Sequence, residues 1–228
     1  MSLRGEPRLH RMPTYVLLHG AGSDAWYWHL VAPRLRELGH EVVAVDLPCD
    51  DVAAGLTEYV DTVVEAVGER QDLIVVAQSL AAVIGPLVCE RLPVALLVLV
   101  NGMVPRPGET AGEWWANTGH VFPDPFDPVE VFLHDVPPEV AAQSVNHVRP
   151  QSDAIFVDPW PLKRWPSVPT RFLACRDDRF FPFAFQRRMV EDRLGFVPDE
   201  MPGGHLPALA RPDELVKWLA TYRSTLDW

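Results

Sequence analysis

Cysteine is scarce, with Cys49, Cys89 and Cys175 the only three in 228 residues, and none of them falls in a CxxC or CxxH spacing. An odd, scattered count argues against a disulfide framework or a thiolate metal site and reads as reduced thiols in a cytoplasmic protein. Cys89 and Cys175 lie in apolar runs, where a buried structural thiol is expected. Long hydrophobic stretches are also missing, since no run approaches the roughly 18 apolar residues of a membrane span. The first dozen residues, MSLRGEPRLHRM, are polar and basic and hold no stretch suited to secretion or anchoring. Basic side chains are outnumbered 20 to 31 by acidic ones, giving a net charge of −11. No basic face is therefore available for a phosphate backbone, which excludes a nucleic-acid partner, and the acidic excess reads as solubility. His29, His40, His120, His134 and His147 lack the H-x-x-x-H spacing of a metal site. There is no internal repeat.

What remains is ordinary globular composition, 48% hydrophobic and 22% charged, at a length that suits one domain with a sizeable core. Short aliphatic runs at residues 15–18, 41–45, 73–77, 94–100 and 171–175 predict strands buried on both faces of a parallel sheet. Helical patterns at 28–38, 56–67 and 80–91 end at Gly39, at Gly68 and before Pro93. Residues 197–201 predict one more short strand, and 213–222 a closing amphipathic helix. The alternation implies an open, mostly parallel sheet covered on both sides.

Residues 103–169 break the rhythm and hold 12 of the 23 prolines among many aromatics. Proline at that density excludes long regular helices, and the aromatics need a surface to cover. The segment reads as short helices and turns over the C-terminal edge of the sheet.

The first glycine-rich turn admits two readings. Gly20, Gly22 and Ala25 satisfy G-x-G-x-x-G/A, and Asp46 ends the next strand where a ribose-binding acid would sit. Against a dinucleotide site, Trp26, Tyr27 and Trp28 crowd the place where the backbone must approach closely. The alternative is an oxyanion loop that turns at His19-Gly20 to face the Ala21 N–H toward a site.

Residues further along favour the second reading. Ser79 stands where the 73–77 strand runs into a helix, the place of an exposed nucleophile whose neighbour, Leu80, offers an N–H to a developing oxyanion. Arg176-Asp177-Asp178 follows the 171–175 strand, and Gly203-Gly204-His205 forms a late loop. The order serine, acid, histidine is that of a nucleophile-elbow hydrolase, in which the histidine takes the serine proton and the carboxylate fixes its tautomer.

With His19-Gly20-Ala21, Trp28, residues 39–47 (GHEVVAVDL), Gln78-Ser79-Leu80, Asp178 with Pro182, Phe185-Gln186-Arg187 and Gly204-His205-Leu206, the chain resembles the α/β-hydrolase superfamily. Within it the chain is similar to the plant methylesterase and hydroxynitrile lyase group. The likeness spans nearly everything outside the proline-rich segment. It implies an α/β-hydrolase fold with a mostly parallel sheet of six to seven strands, trimmed at its start, and helices on both faces. Residues 1–102 and 168–228 would form the core and 103–167 a cap. Ser79 would be the nucleophile, Asp178 the acid, His205 the base, and Ala21 and Leu80 the oxyanion donors; no metal or organic cofactor is implied. The cap would form the pocket, with Trp114, Trp115, His120 and Phe122 as candidate lining residues, although the two tryptophans read more readily as cap core than as a ligand clamp. One departure stands out: Ala77 and Ala81 occupy the two glycine positions of G-x-S-x-G. The expected activity is hydrolysis of a small, largely apolar ester or lactone through an acyl-serine. A lyase using the same triad, or a silent binding protein on the same fold, are the alternatives.

Overall fold

The computed structural model describes residues 12–226. The polar leader read in the sequence lies, except for Met12, outside them. Among the described residues six strands form one sheet: β1 (Thr14–Leu18), β2 (Glu41–Val45), β3 (Leu73–Gln78), β4 (Val94–Val100), β5 (Thr170–Cys175) and β6 (Asp199–Met201). Their order is β2-β1-β3-β4-β5-β6, and every pairing is parallel.

The continuous apolar runs follow from burial on both faces. Leu73, Val75 and Ala77 point into one core with Leu97 and Leu99, whereas Ile74 and Val76 point into the other with Leu96 and Val98. The first core is closed by α2 (Leu56–Val67), α3 (Gly85–Cys89) and α7 (Phe183–Leu194), and the second by α1 (Val31–Glu37) and α9 (Pro212–Ser224). No described helix is long and apolar enough to cross a membrane.

Two predicted helices are shorter than their patterns, and proline explains both. The stretch 28–38 divides into a 3₁₀ turn, Ala25–Trp28, and α1, because Pro33 cannot donate to the carbonyl four residues back. Likewise 80–91 divides into a 3₁₀ turn, Ser79–Val83, and α3, with Pro86 in its first turn. The last strand begins at Asp199, not at 197. Cys175 is buried as expected, but Cys89 is only half-buried.

Between β4 and β5 lie α4 (Ala111–Thr118), α5 (Pro128–Phe132) and α6 (Pro138–Ser144), with α8 (Pro207–Ala210) following β6. Proline starts α5 and α6, where its missing N–H would have had no partner. The longer α4 falls in a proline-free window and opens with a Thr110/Glu113 capping box. Trp114, Ile155 and Trp160 from this segment are buried in the same core as Phe172 and Phe181. Both indole N–H groups are satisfied, Trp114 by Val104 O at 3.0 Å and Trp160 by Val83 O at 2.9 Å. A buried ion pair adds to the contact. The Arg193 guanidinium on α7 grips both carboxylate oxygens of Glu109, which also accepts from Asn117 Nδ2 at 2.9 Å. Burial alone would raise the Glu109 pKa, but the bonds from Arg193 and Asn117 outweigh it and hold the carboxyl below its ordinary value.

Candidate active site

Strand order sets the location. The chain steps from β1 outward to β2, then returns to place β3 on the other side of β1. A crevice opens at such a switch point, beyond the C-terminal ends of the diverging strands. The loops after β1 and β3 meet there, bringing His19-Gly20-Ala21 beside Ser79. The approach is close. A Cβ on Gly20 would stand 2.3 Å from Gln78 Oε1 and 3.0 Å from Ser79 Cβ, so a side chain there would have to displace the Gln78 amide.

Ser79 has φ +53°, a left-handed conformation that costs a non-glycine residue about 1–3 kcal/mol. Its surroundings hold it there, with Met103 N donating to Ser79 O at 3.1 Å. Ser79 Oγ lies 3.0 Å from His205 Nε2, and His205 Nδ1 lies 2.7 Å from Asp178 Oδ2. All three residues are buried. A carboxylate only accepts, so Nδ1 carries the ring hydrogen and Nε2 is left to accept from the serine hydroxyl.

Asp178 is fixed by its turn. Its Oδ1 accepts from the Phe180 and Phe181 amides, each at 2.8 Å, and its Oδ2 from Gln186 Nε2 at 3.4 Å. Asp177 points elsewhere. Its N–H donates to Gly203 O and its Oδ2 accepts from Gly203 N, both at 2.9 Å; the second bond holds the carboxyl below the usual range, and Asp177 also pairs with Arg176.

The histidine loop has further supports. His205 O accepts from Gln78 Nε2 at 3.0 Å and from Asn101 Nδ2 at 3.2 Å, while Asn101 Oδ1 accepts from Cys175 N at 2.8 Å. Gly204 N donates to Asp135 Oδ2 at 2.7 Å. Three strand ends are thus tied to one imidazole.

On the other side of Ser79, His19 Nδ1 donates to Gly20 O at 2.8 Å and Nε2 accepts from Leu47 N at 3.1 Å. Burial lowers the His19 pKa and keeps the ring neutral, as that pattern requires. Gly20 C=O and Ala21 N–H belong to one trans peptide and point in opposite directions. Holding the carbonyl therefore aims the amide. Leu80 sits second in the 3₁₀ turn that begins at Ser79, ahead of the first intrahelical bond. Ala21 and Leu80 line one cavity with Ser79 and His205. It measures about 540 Å³, and its walls include Trp26, Trp115, Phe132, Phe156 and Phe180. No Lys, Arg, Asp or Glu among the described residues lines it.

The sequence profile of the alpha/beta hydrolase family matches residues 15–218. The chain belongs to that family. Methylesterase 7 of Arabidopsis thaliana is 27% identical over 88% of this chain and 92% of its own length. Two solved structures are similar in fold. Polyneuridine aldehyde esterase has TM-score 0.79 at 19% identity and covers 93% of this chain and 100% of its own. A pyrethroid hydrolase from Sphingobium faniae JZ-2 has TM-score 0.78 at 21% identity, covering 93% and 98%. The chain is an esterase-like enzyme of the α/β-hydrolase fold.

In this α/β-hydrolase the dinucleotide reading of the first loop fails on local structure. The loop opens into a four-residue 3₁₀ turn, and Asp46 Oδ1 is occupied by Ala25 N at 2.7 Å. Of four candidate pocket residues, only Trp115 lines the cavity. Trp114 is fully buried among Trp115, Phe181 and Phe185. His120 stands behind Phe180 with Nε2 2.8 Å from its carbonyl, and half-exposed Phe122 packs on the outer side of Trp115. Tryptophans adjacent on a helix point about 100° apart, so one of the pair had to turn inward. Gln78, Asn101, Asp135 and Gln186 support the site without being triad or oxyanion-motif positions. Gln78 and Gln186 lay inside the strings that carried the resemblance, but Asn101 and Asp135 carry no local signal.

Proposed function

We propose that this enzyme hydrolyses a small, uncharged, largely apolar carboxylic ester or lactone through an acyl-serine on Ser79. The observation that carries the reading is the unbroken chain Ser79–His205–Asp178 at the floor of an apolar cavity. His205 Nε2 removes the hydroxyl proton as Ser79 Oγ attacks the carbonyl carbon. Asp178 stabilises the imidazolium that forms. The Ala21 and Leu80 amides receive the carbonyl oxygen as it becomes an oxyanion, a contribution of about 3–4 kcal/mol per donor in comparable sites. His205 then returns the proton to the leaving alkoxide, and water repeats the cycle against the acyl-serine, releasing acid and free enzyme.

An uncharged wall supports a neutral ester, and the cavity volume falls in the range of small-molecule sites. Similarity to a methylesterase favours methyl esters as first test substrates. Residues 103–167 act in this reading as the cap over the pocket, and the scattered free thiols fit a cytoplasmic enzyme. The test joins fluorophosphonate labelling to turnover of short p-nitrophenyl and methyl esters. Labelling at Ser79 and loss of about 10⁴-fold or more in kcat for Ser79→Ala, with the fold intact, is expected. Near-normal esterase activity in that variant would mean another nucleophile.

A further inference from the structure

Three successive peptide units form the loop after β1, and each is held by a different partner. The first, Gly20–Ala21, is held from the core by His19. The second and third are held by a strap of residues 149–152 that belongs to the segment between β4 and β5. Gln151 Oε1 accepts from Gly22 N at 2.9 Å, fixing the Ala21–Gly22 unit. Arg149 N donates to Gly22 O at 2.9 Å, fixing the Gly22–Ser23 unit. Gly22 has φ +62°, and a Cβ there would meet Arg149 O at 3.2 Å, so strap and loop run against each other.

The strap is itself anchored away from the pocket. Ser152 N donates to Cys49 O at 2.6 Å, and Ser152 Oγ to Ala54 O at 3.1 Å. The Arg149 guanidinium pairs with Asp50. Gln151 Nε2 donates to Tyr59 Oη at 2.8 Å. Gly22 N–H only donates and Ser152 O, 3.3 Å from Gln151 Nε2, only accepts, so these two fix which end of the amide faces Gly22, and the buried Tyr59 phenol of α2 braces the NH2 end.

We propose that Gln151 is a positioning residue for the oxyanion hole, setting the Ala21 amide through Gly22 while Tyr59 braces the far end of its side chain. The inference rests on the reading of Ala21 as an oxyanion donor. Gln151 also lines the cavity, but its action through Gly22 N–H falls on the transition state more than on the bound ester. Displacing an amide by a fraction of an ångström weakens its bond to a full negative charge far more than to a neutral carbonyl.

The experiment uses Gln151→Met, which keeps the bulk and removes the acceptor, on a short p-nitrophenyl ester. Three further quantities are measured: affinity for an aryl trifluoromethyl ketone, affinity for the matching methyl ketone, and the thermal midpoint. The ketone that adds Ser79 needs the hole, whereas the methyl ketone reports ground-state binding. A loss of about tenfold or more in kcat, matched in trifluoromethyl ketone affinity, with methyl ketone affinity and thermal midpoint near wild type, supports the assignment. Tyr59→Phe should show a smaller loss of the same kind, and it carries the test if Gln151→Met does not fold. Wild-type kcat, or an equal loss for both ketones, overturns the proposal. Fluorophosphonate labelling of wild-type Ser79 separates the two levels: without labelling the acyl-serine reading itself fails, and with labelling only the role of Gln151 is in question.

Discussion

Gly85 faces Ala77 across the strand-to-helix elbow. A methyl built on Gly85 would stand 3.2 Å from Ala77 Cβ and 3.0 Å from Leu97 Cδ1. Space usually supplied by glycine at position 77 is supplied here by its neighbour. Gly102 does the same for Ala82, whose Cβ would lie 2.6 Å from an added methyl. Ala77 and Ala82, on either side of Ser79 in the chain, are therefore accommodated, and Ser79 keeps its left-handed conformation. Gly85→Ala should destabilise the fold by about 1–3 kcal/mol through overpacking. Adding Ala77→Gly should recover part of that loss, measured as a double-mutant cycle in urea. Simple additivity would show that the two positions do not compensate each other.

The neighbouring acids should separate cleanly. Asp178→Asn leaves His205 without a carboxylate and in the wrong tautomer, so turnover should fall about 10⁴-fold. Asp177→Asn keeps an oxygen for the Gly203 amide and should stay within a few-fold of wild type. Asp177→Ala removes that oxygen and should cost more than Asn, because Gly203 precedes the histidine by two residues. Steady-state kinetics on one ester decides it. Equal losses for the two Asn variants would reverse the assignment.

The paired tryptophans should part in the same way. Trp114→Ala empties a core position and should lower stability by about 3–5 kcal/mol. Trp115→Ala opens the cavity wall, and its main effect should be on KM for aromatic against short aliphatic esters. Calorimetry and substrate panels on both variants would reveal a shared phenotype if the division is wrong.

Acid should loosen the Glu109–Arg193 contact. The folded Glu109 pKa is depressed below its unfolded value near 4.3, so the unfolded state binds the proton first as pH falls. Its contribution is complete above the unfolded value and disappears as pH drops through the folded one. Glu109→Gln should flatten the stability profile in that window and, by leaving Arg193 buried without a counter-charge, cost about 3–5 kcal/mol at pH 7. Urea midpoints across pH 2.5–7, in steps of about half a unit, test both halves.

The sheet was legible because each strand is buried on both faces, which leaves uninterrupted runs such as 73–77. Ser79, Asp178 and His205 were legible because each follows directly on a strand end or a glycine pair. Helix α7 is hard to see in the sequence, since its charged residues weaken the periodicity, although Pro182 and Gly195 bracket it. The pocket walls were the least readable. Phe132, Phe156 and Phe180 reach the cavity through turns whose direction depends on tertiary packing, and nothing in local spacing says which aromatic faces inward. Asn101 is the instructive case: φ +46° and three bonds to two other strand ends come from topology, not from its neighbours.

The strap over Gly22 bears on how this scaffold can be re-engineered. The segment between β4 and β5 looks exchangeable, since it carries about half of the pocket lining and none of Ser79, Asp178 and His205. Yet the exchange cannot be cut at the strand ends. A donor segment grafted for a new substrate must enter after Asn101 and Gly102, preserve Asp135 opposite Gly204, and reproduce an acceptor for Gly22 N–H at the place of Gln151. A chimaera lacking those three junctions would bind its new ligand and turn it over poorly.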